Sequence, residues 1–167
     1  LISSTSHGAV YLIHHETTTG VLNSLQGVAE TAKRHGKWVM VDAVSSVAGE
    51  ELDLARWGVD LAIGSANKCI RGVPGIGFVV VSDEFREAIS QRRPVAFSTD
   101  LVDTLDREET GETPFTPPVQ TMYALREALC ELLEEGVSAR IAHYRDIAKT
   151  LRDGLAAMEL SLLVPRD

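Results

Sequence analysis

Residues 38–81, WVMVDAVSSVAGEELDLARWGVDLAIGSANKCIRGVPGIGFVVV, decide the fold. Three apolar runs punctuate the stretch: WVMV at 38–41, VDLAI at 59–63 and IGFVVV at 76–81. Each has the length of a strand, and each is too continuous for a sheet that faces water on one side. A short helical stretch at 52–57, stopped by Gly58, separates the first two. Only the loop GSANKCIRGVPG, 64–75, separates the last two, so the last run is open to antiparallel pairing with its neighbour.

Upstream, AVYLI at 9–13 reads as a further buried strand and 14–24 as a polar turn. In LQGVAETAKRH, 25–35, apolar residues recur at Leu25, Val28, Ala29 and Ala32, the spacing of a helix face. Lys33, Arg34 and His35 fall in its last turn and Gly36 just beyond, which are stop signals. Downstream, Asp83 is placed as the cap of a helix reaching about residue 91. Residues 94–118 read as a long irregular connection, and such connections are commonly functional. Pro117 and Pro118 open a helix over 119–133, a second runs over 138–158, and LSLLV at 160–164 is expected to begin another strand. A chain that stops as a strand starts is expected to be a truncated sequence. Alternating strands and helices with short connections predict an α/β domain with a mostly parallel sheet.

The chain has 167 residues, of which 44% are hydrophobic and 24% charged, enough for one domain with a core. Its net charge is −8, with 16 Lys and Arg scattered among 24 acids, so no concentrated basic face is available for nucleic acid or an anionic membrane. An acidic balance leaves an anionic substrate open, because a local pocket can still be positive. Two cysteines, Cys69 and Cys130, are too few for a disulfide framework, and a reducing, cytoplasmic compartment is expected. Residues 1–10 lack the basic segment and long apolar run of a signal peptide, and the apolar runs are strand-sized rather than membrane-sized.

Ligands of open α/β sheets collect at the C-terminal ends of strands. Three polar clusters lie at such ends: HHETTTG at 14–20, DAVSS at 42–46 and SANK at 65–68. Asp42 and Lys68 stand one strand-to-strand step apart. A carboxylate that keeps a pyridine nitrogen protonated and an amine that holds an aldehyde as an imine suit pyridoxal 5′-phosphate (PLP) chemistry. On spacing alone, an ordinary ion pair at the sheet rim accounts for the same two residues.

The motifs ETTTG, VDAVSS, SANKC, GVPG and FTPP, in this order and spacing, resemble the class V, fold-type I, PLP-dependent aminotransferases, and the likeness runs from about Tyr11 to Ala157. The resemblance implies a three-layer large domain, with residues 1–135 forming part of it and 136–167 a linking long helix and the start of a C-terminal small domain. It implies that Lys68 forms the Schiff base with PLP and acts as general base and then acid. By the same resemblance, Asp42 would pair with the pyridinium nitrogen, Thr17 would bond the phenolic oxygen and Asn67 would contact the phosphate. Thr116 would reach the phosphate of a neighbouring subunit's cofactor, in a homodimer. A helix N-terminus independently suits an anion, whereas a plain helix cap explains Thr116 without any ligand. The expected reaction moves an amino group from 2-aminoethylphosphonate to pyruvate, giving phosphonoacetaldehyde and alanine. The alternatives are another class V aminotransferase, using alanine and glyoxylate or serine and pyruvate, and an inactive fragment. Cysteine desulfurases of this fold carry histidine where Asn67 stands.

Other signals are weaker. His14, His15 and Glu16 are adjacent, and neighbours on an extended chain point to opposite faces, so no metal site is expected. The loop at 64–77 lacks the Gly-Lys-Ser/Thr of a phosphate loop, and its glycines read as a turn that lets the backbone pass close to Lys68. Cys69 has no evident activating partner. Arg92 and Arg93 read as solvated, and Arg71 stays open as an anion ligand. The stripes Leu125, Ala128, Leu129, Leu132 and Ile141, Ile147, Leu151, Leu155 read as core or dimer surface.

Overall fold

A computed structural model describes residues 8–92 and 96–164. Its elements are β1 Ala9–Ile13, α1 Leu25–Arg34, β2 Trp38–Asp42, α2 Leu54–Trp57, β3 Leu61–Ser65, β4 Gly77–Val81, α3 Asp83–Ile89, α4 Leu101–Thr110, α5 Val119–Glu135 and α6 Val137–Ala157. The four strands lie in chain order, β1-β2-β3-β4. β1 pairs with β2, and β2 with β3, in parallel; β4 returns antiparallel to β3, as the short connection allowed.

The register puts Val10, Leu12, Val39, Val41, Ala62 and Gly64 on one face. There α1 lays down Leu25, Ala29 and Ala32, and α2 adds Trp57, to make the first core cluster with Val39, Val41 and Ala62. The helical spacing of those α1 residues is what makes the parallel crossover stable, since one apolar stripe covers one sheet face. A second cluster joins Ala48 and Ile70, from the two strand-end loops, to Ala128 and Leu132 of α5. Phe78 packs against this cluster and lies over Gly64, where an added Cβ would come 2.2 Å from the ring. On the opposite face Phe85 of α3 meets Trp38 edge-on at 5.2 Å between ring centroids. The same face carries Tyr11, Ile13 and Val79, which are exposed.

Asp60 ties the N-terminal ends of the strands together. It is 4% exposed and accepts Lys33 Nζ at 2.6 Å and the Val39 N–H at 2.7 Å, joining the end of α1 to the starts of β2 and β3.

Several expectations need correction. The stretch expected to be irregular contains α4, whose cap Asp100 accepts the N–H groups of Val102 and Asp103. α4 buries no residue fully, so its apolar stripe was faint in the sequence. Ser82, not Asp83, caps α3, accepting the Phe85 N–H at 3.2 Å; Asp83 is the first helical residue. Residues 160–164 form no strand, because no described strand pairs with them. Pro118 rather than Thr116 occupies the cap position of α5, so the plain-cap reading of Thr116 falls. Of the α6 stripe read as core or dimer surface, Ile147 and Leu151 are exposed and Ile141 and Leu155 half-buried, so it is not core within this chain, and the buried residue of that helix is Arg140.

Candidate active site at the strand tips

Three strand ends converge. The backbone of His14 donates to the Asp42 carbonyl, and that of Ala43 to Ile63, both at 2.9 Å, so the loops after β1, β2 and β3 leave the sheet side by side. Asp42 ends β2 half-buried. Its Oδ1 accepts the Val44 N–H at 2.9 Å and its Oδ2 the Tyr11 hydroxyl at 3.3 Å. Burial, then the Asp42 charge, raises the Tyr11 pKa, which keeps that hydroxyl a donor.

The first loop turns on Glu16, whose carboxylate accepts the N–H and hydroxyl of Thr18 at 3.0 and 2.8 Å. Those bonds lower the Glu16 pKa. The turn closes at Gly20, where φ is +73°, a conformation suited to glycine. Thr17 is thereby presented to Ser45, their hydroxyl oxygens 2.7 Å apart. Beneath them, His14 Nδ1 lies 3.0 Å from Ser46 Oγ, and its ring meets Trp57 edge-on. Burial lowers the His14 pKa, so the ring is neutral. His14 and Glu16 thus turn to different partners, not toward one ion.

The third loop follows Ser65, whose hydroxyl donates to Asn67 Oδ1, leaving the Asn67 amide N–H groups as the outward donors. The loop closes through Gly72 N–H to the Ala66 carbonyl at 2.7 Å and Arg71 N–H to the Lys68 carbonyl at 2.9 Å. A Cβ on Gly72 would lie 2.9 Å from that Ala66 oxygen, which is why the closure takes glycine. Lys68 stands at the tip, exposed, and its ammonium has no hydrogen-bond or ion-pair partner among the described residues. The ordinary Asp42–Lys68 ion pair is therefore not what these residues form. Cys69 turns inward, with Sγ 3.7 Å from the Ser45 carbonyl, and burial raises its pKa, so it stays a thiol.

Thr17, Asp42, Asn67 and Lys68 thus lie on three neighbouring strand-end loops. Thr116 lies elsewhere, lining an apolar groove of about 630 Å³ with Phe115, Met122, Leu129 and Gly75, and none of the other four residues lines that groove. Arg71 is committed to Tyr144 and Glu135. Arg92 is exposed, and Arg93 lies outside the described residues. Sequence reasoning gave no role to Ser45, which links the first two loops, although it stood in the quoted DAVSS cluster. Arg140 was missed altogether, because nothing in its helical neighbourhood distinguishes a buried arginine from a solvated one.

The model of the Aminotransferase class-V family matches residues 2–166. A 2-aminoethylphosphonate–pyruvate transaminase from Aeromonas hydrophila subsp. hydrophila is 42% identical over 160 residues, covering 92% of this chain and 41% of its own length. Among solved structures, an alanine–glyoxylate aminotransferase from Nostoc sp. superposes with TM-score 0.88 at 30% identity, covering 95% of this chain and 43% of its own. A ureidoglycine–glyoxylate aminotransferase from Bacillus subtilis gives 0.85 at 30% identity, covering 92% and 41%. The chain therefore spans about two fifths of the length of the proteins it matches.

Proposed function

The chain belongs to the class-V aminotransferase family, and from that premise we propose that it carries the cofactor-attachment part of an enzyme that transfers an amino group from 2-aminoethylphosphonate to pyruvate. The cofactor that the family implies is PLP. The carrying observation is the meeting of Thr17, Asp42, Asn67 and Lys68 on adjacent strand-end loops with the lysine unpaired. A cofactor with an aldehyde, a basic ring nitrogen and a phosphate needs an available amine, a fixed carboxylate and outward amide donors, and these residues supply all three.

When bound, PLP supplies an electron sink for the bond broken at the substrate carbon. Lys68 Nζ would be the attachment atom and, when free, the group that takes the proton from the substrate carbon and later returns one, as base and then acid. Asp42, its orientation fixed by the Val44 N–H and the Tyr11 hydroxyl, would hold the proton on the ring nitrogen. Thr17, backed by Ser45, would hold the ring hydroxyl oxygen, and the Asn67 amide would hold the phosphate. Thr116, apart from this cluster, serves the neighbouring subunit's site in a homodimer. Residues 1–135 would belong to the large domain, and 136–167 would supply the long linking helix and the start of a C-terminal small domain.

The donor assignment follows the 42%-identical relative rather than the 30%-identical structures. In the protein expressed from its complete reading frame, 2-aminoethylphosphonate and pyruvate should yield alanine faster than alanine and glyoxylate yield glycine. Lys68→Ala should abolish both the visible absorbance of lysine-bound PLP and turnover. Retained absorbance with turnover would overturn the assignment of Lys68, and a preference for glyoxylate would overturn the substrate.

A further inference from the structure

Beyond Ser65 the lysine loop keeps one further backbone bond to the β4 side, Ala66 N–H to the Ile76 carbonyl at 3.1 Å, and its own turn bonds from Gly72 and Arg71. A further hold on it comes from the junction of α5 and α6. Arg140, the fourth residue of α6, is 2% exposed. A buried guanidinium is costly unless its donors are satisfied. Here Nη1 donates to the Cys69 carbonyl at 2.9 Å, while Nε and Nη2 both reach Glu135 Oε2, at 2.6 and 2.5 Å. The bond to Cys69 spans 71 residues and grips the Cys69–Ile70 peptide, one residue past Lys68.

A second anchor lies two residues further on. Arg71 has φ +66°, a left-handed conformation that a side chain other than glycine rarely adopts. Its Nε donates to the Tyr144 hydroxyl at 3.0 Å, its guanidinium sits 5.0 Å from the centre of that ring, and its Nη1 lies 3.8 Å from the same Glu135 oxygen. One carboxylate thus serves both arginines. Hydrogen bonding from Arg140 lowers the Glu135 pKa, so the carboxylate stays charged at neutral pH.

From this geometry we propose that Arg140, locked by Glu135, is a positioning residue for Lys68: by holding the Cys69 carbonyl it fixes the backbone from which the lysine reaches the cofactor. A salt bridge kept only for stability would gain from a surface partner or an apolar substitute; this one spends its third donor on the loop carbonyl beside the lysine. The inference rests on the reading of Lys68 as the attachment lysine.

The test uses the protein expressed from its complete reading frame and three variants, Arg140→Ala, Arg140→Lys and Glu135→Gln, with Lys68→Ala as reference. Two ligands are titrated: PLP, which attaches to a lysine, and pyridoxamine phosphate, which has an amine in place of the aldehyde and cannot. Amide exchange is followed at Arg71 and Gly72. Arg140→Ala should slow PLP attachment roughly 10- to 100-fold, the size of effect that follows misplacing a reacting group by about an ångström. It should speed exchange at those two amides and leave pyridoxamine phosphate binding within about threefold, half of a tenfold step on the free-energy scale. Arg140→Lys should recover part of the rate and Glu135→Gln should lose part of it. If Arg140→Ala does not fold, the latter two variants decide by the same readings. Equal losses for both ligands, or no change in attachment, would overturn the proposal. Attachment that survives Lys68→Ala would overturn the reading beneath it, which the Arg140 variants alone would not.

Discussion

At the scale of single residues, the site separates groups that face the opening from groups that hold them. Lys68 and Asn67 are exposed, whereas His14 is 3% exposed and lies beneath the threonine loop against Ser46 and Trp57. Because burial lowers the His14 pKa, the unfolded chain binds a proton that the folded chain refuses. The stability attached to His14 is complete above the unfolded value of about 6.5 and is lost as pH falls from there toward the lowered folded value. Urea midpoints followed by circular dichroism should fall between pH 7 and pH 5, and less steeply in His14→Gln; identical slopes would show that His14 is not the group responsible. The positions of Asp42, Lys68, Thr17 and Asn67 at the strand ends were legible because each is a polar residue where an apolar run ends, which is where a sheet exposes its ligand-facing edge. The holders were not legible. His14 and Arg140 owe their roles to partners 32 and 71 residues away, and no local pattern records such a pairing.

At the scale of elements, the strands and the long helices follow from periodicity, while their ends depend on particular bonds. The four strands and α1 stand close to where apolar runs and stop signals put them. α4 escaped notice because it packs by salt links as much as by apolar contact: Arg86 of α3 pairs with its Glu109 at 2.5 Å and its Asp106 at 3.5 Å. Such exposed pairs leave no hydrophobic signature in the sequence. The opposite holds for Asp60, a carboxylate inside a run read as a strand. It opens β3 rather than lying within it, and it joins α1, β2 and β3 through Lys33 and the Val39 N–H. Asp60→Ala removes the carboxylate from that junction and leaves the Val39 donor without its acceptor. The expected loss is about 2 kcal/mol, the range for leaving a buried N–H without its acceptor, since Lys33 is part-exposed and can return to water; it is read as a shift in urea midpoint, and a change within about 0.5 kcal/mol, typical of a surface substitution, would show the junction to be dispensable.

At the scale of the whole molecule, two clusters divide the labour. The first, between α1 and the sheet, sets the strand order; the second, beneath α5, supports the loops that carry Ala48 and Ile70 and hence the neighbourhood of Lys68. The class of fold was readable because it needs only the first cluster, whose residues lie close together in sequence. Support of the lysine loop needs the second, built from residues that meet only after the chain has returned through α5. That difference in sequence distance has a consequence in time. Every strand pairs with the one made just before it, so the sheet can assemble while later residues are still unplaced, whereas the grip of Arg140 on Cys69 waits for a closure across 71 residues. In pulsed hydrogen exchange during refolding, the amides of β2 should gain protection before those of Arg71 and Gly72; simultaneous protection would mean that the loop is set by its own turn alone. A chain that builds its frame first and locks its reactive lysine last can be halted between the two, folded in outline but unable to capture the cofactor, and that late step gives quality control a place to act.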